Sequence, residues 1–338
     1  MIEIDGSHGE GGGAILRNAL ALSAAFEIPV RIFNIRKGRR EPGLKLQHLT
    51  AVKALQEIAG AEVSSVEKGS QEVSFEPGKI AGGKHRFDIG SAGSITLVLQ
   101  ALMPALAFAE KETELELVGG THVNWSPPFE YLKEVLLPQI RKMGYRGDVE
   151  LVRNGWYPKG GGIVRARVEP AGKLKPLKLV ERGELLRVRG ISVASNLPEH
   201  IAKRQADAAR AVLPQAEIEV KAVPAASPGS AAVLWAQYSG GAVLGASALG
   251  EIGKKAEQVG KEAAEKLKAE MESGAAVDEH LADQLLVYMA LAEGRSEILA
   301  SGLSGHAKAN AWLIEQFIKR RFEIRESEGK NASVAIGE

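Results

Sequence analysis

Residues 5–17 read Asp-Gly-Ser-His-Gly-Glu-Gly-Gly-Gly-Ala-Ile-Leu-Arg, a glycine-rich stretch with a carboxylate, Glu10, in its middle and a guanidinium, Arg17, at its end. The five glycines between residues 6 and 13 allow the backbone to approach a ligand closely and to point amides toward it. An apolar strand containing Ile2 and Ile4 precedes the stretch, and an apolar helix follows over residues 15–25. A glycine loop that opens a helix beside an acid and a base predicts a phosphate site with a divalent metal.

The composition sets limits around this stretch. The chain has 338 residues, 45% of them hydrophobic, which is enough for two or three domains with buried cores. Its 43 basic and 42 acidic side chains nearly cancel, so any contact with nucleic acid must come from local clustering. The absence of cysteine excludes disulfides, thiolate metal sites and cysteine nucleophiles. With no signal peptide pattern and no apolar run of about 18 residues, the sequence predicts a cytoplasmic protein without a membrane span.

One pattern occurs three times along the chain. A turn of small residues opens an apolar helix, and a strand, a second helix and a two-stranded hairpin follow. The helix pairs are predicted over 14–25 and 44–59, 92–109 and 128–143, and 278–292 and 306–319, with hairpins over 61–75, 148–168 and 322–336. The strands are assigned where apolar and polar residues alternate in the sequence. The predicted fold class is α/β (α+β), built from three repeated βαβαββ-type units.

The third copy is interrupted by an insert. Residues 184–274 are predicted to form a small α/β domain with the element order β-α-β-β-β-α, compact enough to fold alone. Its last helix, over 253–271, carries many glutamate–lysine pairs at i,i+4 spacing. Residues 1–183 and 275–338 are predicted to form one large three-repeat catalytic domain.

Residues 36–45 form the strongest local signal for an anion. The segment reads Arg-Lys-Gly-Arg-Arg-Glu-Pro-Gly-Leu-Lys and holds five cations, with glycine and proline fixing the turn. Such a loop suits a phosphodiester backbone. A charged loop that only faces solvent is the alternative. The occurrence of this segment together with a glycine loop favours the functional interpretation.

Three further positions are candidates for chemistry because of their place on helices. His306 lies at a helix N-terminus, where the dipole lowers the pKa of a histidine and leaves neutral imidazole available as a nucleophile. Asp283 lies near the start of the apolar helix predicted over 278–292, either as an acid favoured by the dipole or as a nucleotide or metal contact. Gln100 lies inside the apolar helix 95–107, either as a satisfied core amide or as a ligand contact.

The glycines at 9 and 11, followed by Ala14, also match the dinucleotide-binding pattern between a strand and a helix. That fold requires an acid at the end of the next strand, whereas strand 30–35 is followed by Arg36. An arginine there could accommodate a 2′-phosphate, so an NADP-type oxidoreductase remains an alternative. A P-loop is excluded because no Gly-Lys-Ser/Thr follows the glycines.

Taken together, these motifs resemble those of the RNA 3′-terminal phosphate cyclase family along nearly the whole chain. The matching segments are residues 5–17, 35–39, 42–43, 47–53, 89–94, 119–121, 127–128, 155–162 and 281–284, together with Gln100 and His306. The resemblance implies three α/β units related to those of enolpyruvyl transferases, with a small inserted α/β domain.

The resemblance also implies a reaction. The family converts an RNA 3′-terminal phosphate to a 2′,3′-cyclic phosphodiester with ATP and a divalent metal, Mg or Mn. A histidine attacks ATP and releases pyrophosphate, which leaves a histidine–AMP intermediate. AMP then passes to the RNA 3′-phosphate, and the neighbouring 2′-hydroxyl expels it. Because the last step is intramolecular, proximity supplies much of its rate.

Residue by residue, the resemblance assigns roles across the chain. His306 matches the nucleophile and Glu10 the acid that contacts the metal. The positions matching the adenylate pocket are Gln100, Pro127, His280, Leu281, Ala282, Asp283 and Gln284. Arg17, Arg36 and Arg39 match cationic contacts to the phosphates of ATP or RNA. The residues expected to contact RNA are Arg36, Arg39, Arg40, Lys45 and Gln47.

Two departures from the family pattern bear on these roles. His280 stands where bacterial members often have tyrosine, although imidazole can still stack on adenine. Asn154 stands where a basic residue is usual. Cyclase-like nucleolar proteins of ribosome biogenesis share the fold but lack the nucleophile, so His306 favours the catalytic branch. A non-catalytic RNA-binding scaffold and an enolpyruvyl transferase are further alternatives, and the sequence leaves the oligomeric state open.

Overall fold

The repeat predicted from the sequence is present in the fold. Across residues 1–327 and 331–337, which the computed structural model describes, three four-stranded sheets order their strands as first, second, fourth and third. In each of them the first pair is parallel and the other two pairs are antiparallel. One strand order with one set of directions defines three copies of a single βαβαββ unit, and the fold class is α/β as predicted.

The first two units are continuous in sequence, whereas an insert divides the third. The first consists of β1 Ile2–Asp5, α1 Gly13–Phe26, β2 Val30–Phe33, α2 Leu46–Ile58, β3 Glu62–Val63 and β4 Val73–Glu76. The second consists of β5 Gly83–Asp88, α3 Ile95–Leu106, β6 Thr113–Gly119, α4 Phe129–Tyr131, a π-helical turn Leu132–Leu136, α5 Leu137–Lys142, β7 Arg146–Arg153 and β8 Gly162–Glu169. The third begins with β9 Lys178–Leu179 and resumes after the insert.

The insert separates β9 from the rest of its unit. It contains β10 Leu185–Ser195, α6 His200–Val212, β11 Ala216–Ala222, β12 Gly229–Tyr238, β13 Val243–Leu249 and α7 Ala256–Glu272. The third unit then continues with α8 Glu279–Leu291, β14 Ser296–Ala300, α9 Gly305–Phe317, β15 Glu323–Glu326 and β16 Ala332–Ile336. Residues 328–330, which fall within the range predicted as a hairpin over 322–336, lie outside the described residues.

Several predicted elements differ from the observed ones in length or in regularity. The helix predicted over 92–109 begins only at Ile95, because the Ser94 side chain accepts a hydrogen bond from the amide of Leu97 and caps the helix there. The hairpin predicted over 61–75 has a first strand of two residues, Glu62–Val63, and a long connection before β4. The helix predicted over 128–143 contains a π-helical turn that no local sequence feature indicated.

The first helices of the three units meet at the centre of the molecule. Helices α1, α3 and α8 contact one another, and α9 packs against both α1 and α8. Their facing side chains are fully buried, among them Leu20, Leu99 and Leu285. Burying each such side chain contributes about 2 kcal/mol. This packing places the polar beginnings of α1, α3, α8 and α9 at one central crevice.

The insert has its own sheet, ordered β11-β10-β12-β13, with α6 and α7 packed together over it. Its element order is the predicted one. Its buried apolar side chains are nevertheless continuous with the core of the repeats. The division into domains 1–183 with 275–338 and 184–274 therefore stays a prediction. Within the described ranges, no helix is both long and apolar enough to cross a membrane.

Candidate active site

The glycine loop that follows β1 lies along one stripe of α9. A Cβ atom placed on Gly305 would collide with the carboxylate of Glu10, and one placed on Gly9 would lie 3.0 Å from the Cβ of Ala309. Farther along the helix, the His8 ring stacks on Trp312. Helix positions 305, 309 and 312 share a face because they are separated by four and three residues. The loop therefore runs antiparallel to the first two turns of α9.

His306 faces the acid and a base at the start of α9. Its Nε2 lies 3.0 Å from Oε2 of Glu10, and the His306 side chain is 42% exposed. The Arg39 guanidinium donates to the backbone carbonyl of Glu10 at 2.9 Å and lies 3.9 Å from its carboxylate. The structure thus brings together three of the residues that the sequence singled out, from the first and third units. An imidazole, a carboxylate and a guanidinium around a glycine loop can accept a polyphosphate.

The local environment lowers the pKa of His306. Partial burial is the largest cause, and the positive charges of Arg17 and Arg39 act in the same direction, while Glu10 opposes them. The direction agrees with the sequence interpretation, although burial rather than the helix terminus is the main cause found here. A lowered pKa leaves the imidazole of His306 neutral, and therefore nucleophilic, at neutral pH.

A hydrogen-bond network holds the start of α9 against α8 and α1. The Ser304 hydroxyl donates to Oδ1 of Asp283 at 2.7 Å and accepts from the amide of Ala307 at 3.1 Å. The Asn310 side chain donates to the carbonyl of Asp283 at 3.1 Å and accepts from the amide group of Asn18 at 2.8 Å. These contacts fix the helix turn that carries His306. Sequence reasoning missed Asn18 and Asn310, which look like isolated polar residues in apolar helices.

Burial raises the pKa of Asp283 to about 7, and the hydrogen bond from Ser304 opposes the shift only in part. Nearby acidic groups add to the increase, with Glu279 the largest of them. A carboxyl group with a folded pKa above its unfolded value near 3.8 binds its proton more tightly in the folded state. Its contribution to stability is therefore greatest at low pH and is lost as the pH rises from about 4 through 7.

The variant Asp283→Asn tests this shift. The amide oxygen keeps the acceptor for Ser304 but cannot ionise, so the variant is expected to gain stability relative to the wild type as the pH rises. Between pH 4 and pH 8, the difference in unfolding free energy should move by about 3–4 kcal/mol in favour of the variant. Urea unfolding followed by circular dichroism at both pH values measures it. A difference that does not change with pH would contradict the raised pKa.

Arg17 lies behind the glycine loop. Burial lowers its pKa to about 10, and within the described part of the chain its Nε atom has no hydrogen-bond partner. A Cβ on Gly13 would lie 2.9 Å from the Arg17 guanidinium and would collide with the His48 ring. Position 13 therefore requires glycine, because the backbone passes directly over both side chains. A buried guanidinium without a full set of partners is available to an anion held above the loop.

His48 supports this floor as a neutral group. Burial lowers its pKa to about 3, and the charges of Arg17, Arg36 and Lys45 lower it further. Its Nδ1 accepts a hydrogen bond from the backbone amide of Lys45 at 3.1 Å, which caps α2. Its burial and its capping role make it part of the scaffold.

The positions that match the adenylate pocket lie around the beginnings of α3 and α8. The Gln100 side chain donates to Oε1 of Gln284 at 2.8 Å, and Gln284 in turn donates to the carbonyl of His280 at 3.0 Å. The carbonyl of Pro127 accepts from the Thr96 hydroxyl at 2.7 Å, one turn before Gln100 on α3. His280 is exposed, whereas Leu281 and Ala282 are buried supports. These contacts gather the positions that match the adenylate pocket beside Asp283.

Asp278 anchors the segment that carries this pocket. Its carboxylate accepts hydrogen bonds from the Tyr131 hydroxyl at 2.5 Å, the Gly245 amide at 2.9 Å and the Leu281 amide at 3.0 Å. Burial raises the pKa of Asp278 to about 6. One side chain therefore joins α4 of the second unit, β13 of the insert and the start of α8. Its N-cap role is typical for aspartate, but its two distant donors have no signal in the sequence.

The basic loop occupies the other side of the crevice. Arg36 is buried and donates to the carbonyl of Gly43 at 2.7 Å, which closes the loop on itself. Lys45 pairs with Glu41 at 3.4 Å, and Arg40 is exposed. The Gln47 side chain accepts from the amide of Ser94 at 2.9 Å and so links the loop to the start of α3. Of the five residues expected to contact RNA, Arg39 contacts Glu10, which itself lies against His306.

The comparisons with known proteins agree on one family. The family model described as RNA 3′-terminal phosphate cyclase matches residues 8–324. A protein named RNA 3′-terminal phosphate cyclase from Methanopyrus kandleri is 49% identical over 99% of this chain and 98% of its own. A protein of the same name from Pyrococcus furiosus is 46% identical over 99% of this chain and 98% of its own. Another from Methanosarcina barkeri is 48% identical over 97% of this chain and 98% of its own.

The fold and the site define an α/β protein of three βαβαββ units, whose first and third units bring Glu10, Arg39 and His306 together. The chain belongs to the RNA 3′-terminal phosphate cyclase family. Among solved structures, an EPSP synthase from Acinetobacter baumannii matches with a TM-score of 0.28 and 13% identity, over 99% of this chain and 64% of that one. A match at that score carries no argument about fold or function.

Proposed function

We propose that this protein is an ATP-dependent enzyme that converts an RNA 3′-terminal phosphate to a 2′,3′-cyclic phosphodiester. The observation that carries the proposal is the placement of His306 at 3.0 Å from Glu10, with the Arg39 guanidinium bonded to the Glu10 carbonyl. The family membership supports the same activity. Its substrates are ATP and RNA with a 3′-phosphate end, and a cytoplasmic location stays a prediction.

In the first step, an imidazole nitrogen of His306 attacks the α-phosphorus of ATP. A phosphorus–nitrogen bond forms, the α–β phosphorus–oxygen bond breaks, and pyrophosphate leaves with that electron pair. The lowered pKa of His306 supplies the free lone pair. Arg17 and Arg39 offset the negative charge that develops on the phosphate oxygens. The protein retains AMP as a phosphoramidate on His306.

In the second step, an oxygen of the RNA 3′-phosphate attacks the same phosphorus, and the phosphorus–nitrogen bond breaks. His306 is regenerated, and the RNA carries AMP through an anhydride. In the third step, the 2′-hydroxyl oxygen attacks the terminal RNA phosphorus and loses its proton to solvent. The anhydride bond breaks and AMP leaves, so the cyclic phosphodiester forms with no further reactant. The basic loop of Arg39, Arg40, Lys45 and Gln47 holds the RNA end for both steps.

The pocket formed by Gln100, Pro127 and residues 280–284 is proposed to hold the adenosine. Its glutamine side chains offer hydrogen bonds to a base edge, and the exposed His280 ring offers a stacking surface. The contact between Ser304 and Asp283 connects this pocket to the helix turn that bears His306. The adenosine and the nucleophile would therefore be held by two helices that share hydrogen bonds.

A divalent metal, Mg or Mn, fits the donor set at Glu10. Within the described ranges, no group of three or more histidine, aspartate or glutamate side chains could hold a metal ion. Mg²⁺ is commonly held by one or two carboxylates together with substrate phosphates and water, which is the donor set that Glu10 and a bound triphosphate would provide. When bound, such an ion would neutralise charge on the phosphates.

The alternatives differ from this proposal in observable ways. The sheet that follows the glycine pattern at residues 9–14 is mixed and four-stranded, unlike the mostly parallel sheet of a dinucleotide-binding fold. This topology gives the NADP-type oxidoreductase no support. A non-catalytic scaffold remains the second candidate function, because the basic loop could bind RNA without any chemistry at His306.

The test uses the wild-type protein and an RNA oligonucleotide labelled at its 3′-terminal phosphate. With ATP and MgCl₂ or MnCl₂, the label is expected to become resistant to phosphatase while AMP accumulates in equal amount. An otherwise identical oligonucleotide with a 2′-deoxy terminal sugar is the control. Its phosphate can be adenylated, which also protects it from phosphatase, but it lacks the attacking hydroxyl and should release no AMP. RNA binding with no phosphatase-resistant product under either metal would overturn the proposal and favour the scaffold.

A further inference from the structure

His8 and Trp312 form an aromatic stack at the end of the glycine loop. Their ring centroids lie 3.7 Å apart with an angle of 12° between the planes. Trp312 is partly buried and packs against the core, whereas His8 is exposed. Because the indole covers one face of the imidazole while the residue remains exposed, the other face is open to solvent. The proposed reaction uses neither residue.

The stack lies at a fixed position relative to the nucleophile. His306 and Trp312 are six residues apart on α9, so their backbone atoms are separated by about 9 Å along the helix axis. The glycine loop follows the same stretch, from Glu10 beside Gly305 to His8 on Trp312. A ligand with a phosphate at His306 can therefore lay a planar group on His8 without leaving the surface of the loop.

We propose that the exposed face of His8 is a stacking platform for the 3′-terminal base of the RNA. The inference rests on the proposed function, since it places the terminal phosphate at His306. Stacking on an aromatic ring recognises any base through its π-face, without reading its edge. The platform would accept ends of every sequence and would orient the terminal ribose so that its 2′-hydroxyl lies near the phosphate.

The platform lies away from the positions that match the adenylate pocket, which favours RNA over ATP as the ligand on the platform. The adenylate positions lie on α8 and are joined to α9 through Asp283, Ser304 and Asn310. The stripe formed by Gly305, Ala309 and Trp312 is a different face of α9 and contacts the glycine loop instead. His8 also precedes Glu10 on that loop, on the side of the first unit, which carries the basic residues 36–45. The platform therefore lies two residues along the loop from the Glu10 carbonyl that Arg39 of the basic loop contacts.

The test compares two RNA oligonucleotides with 3′-phosphates, one natural and one with an abasic terminal ribose. Binding is measured by fluorescence anisotropy without ATP, so the result does not depend on catalysis. Wild-type protein is expected to bind the natural end about 5- to 100-fold more tightly than the abasic end. His8→Ala should bind both ends with the weaker affinity, and His8→Phe should restore the difference. The ATP dependence of AMP transfer to the protein should be the same in all three.

His85→Ala is the matched control, because it removes a histidine stacked on Phe87 outside the site. It should retain the full preference for the natural end. A preference that persists in His8→Ala, or an equal loss for both ends that His8→Phe does not restore, would overturn the platform. A change in ATP dependence alone would assign the stack to the nucleotide and would also overturn it. Failure of wild-type protein to bind either RNA would instead contradict the proposed function.

Discussion

Replacement of His306 by alanine is expected to reduce covalent labelling of the protein by α-labelled ATP to background. The imidazole is the group that would form the bond to phosphorus, and within its contacts neither Glu10 nor Arg39 is a comparable nucleophile at neutral pH. The side chain is half-exposed, and the helix cap at Ser304 does not depend on it. The variant should therefore fold normally. Denaturing electrophoresis after incubation with ATP and a divalent metal measures the label.

His280→Ala provides the matched control for this experiment. It removes another exposed histidine of the crevice, from the adenosine side rather than the reacting side. It should raise the ATP concentration needed for labelling but reach the wild-type level at saturation. The wild-type label should be lost in acid, as expected of a phosphoramidate. An unlabelled wild type that binds ATP would contradict the mechanism, and a labelled His306→Ala protein would move the nucleophile elsewhere.

The fold was predictable because its signal is local and repeated. The alternation of apolar and polar residues in strands such as β8 and the apolar periodicity of α1 and α3 can each be seen within the short sequence of that element. The interruption of the third unit was visible as a change to a highly charged helix. The strand β9 was not, because a strand of two residues is defined by its pairing with β14 across more than a hundred residues of chain. The π-helical turn in the second unit has no local signal either.

The candidate site was predictable where glycine patterns and residue chemistry coincide, at Glu10, Arg39 and His306. The contacts that position these groups were not. Asn18 and Asn310 are 292 residues apart in the sequence, and each occupies a buried position of a helix that otherwise reads as core. Asp278 joins three parts of the fold through donors that only the tertiary structure brings together. Arg36 shows the opposite case, since a loop arginine expected to contact the phosphates of ATP or RNA is buried and closes its own loop on Gly43.

Replacement of Arg17 by methionine is expected to change stability and activity in opposite directions. The guanidinium is desolvated, its pKa falls to about 10, and its Nε has no partner within the described residues. Methionine fills a similar volume without a buried charge, so the unfolding free energy should rise by about 1–2 kcal/mol. The same change removes a cation beneath the glycine loop, so the labelling rate should fall by about 10²- to 10³-fold. Urea unfolding and single-turnover labelling measure the two effects.

Arg36→Met separates this effect from a general loss of positive charge. Arg36 is also buried, but its guanidinium donates to the carbonyl of Gly43, and that acceptor loses its partner in the variant. The unfolding free energy of Arg36→Met should therefore fall by about 1–3 kcal/mol. A destabilised Arg17→Met protein that labels at the wild-type rate would show that Arg17 serves the scaffold. An unfolding free energy that rises in Arg17→Met, together with slower labelling, and falls in Arg36→Met would mean that the fold tolerates an unsatisfied cation at Arg17. The phosphate of the substrate would then complete the contacts of Arg17.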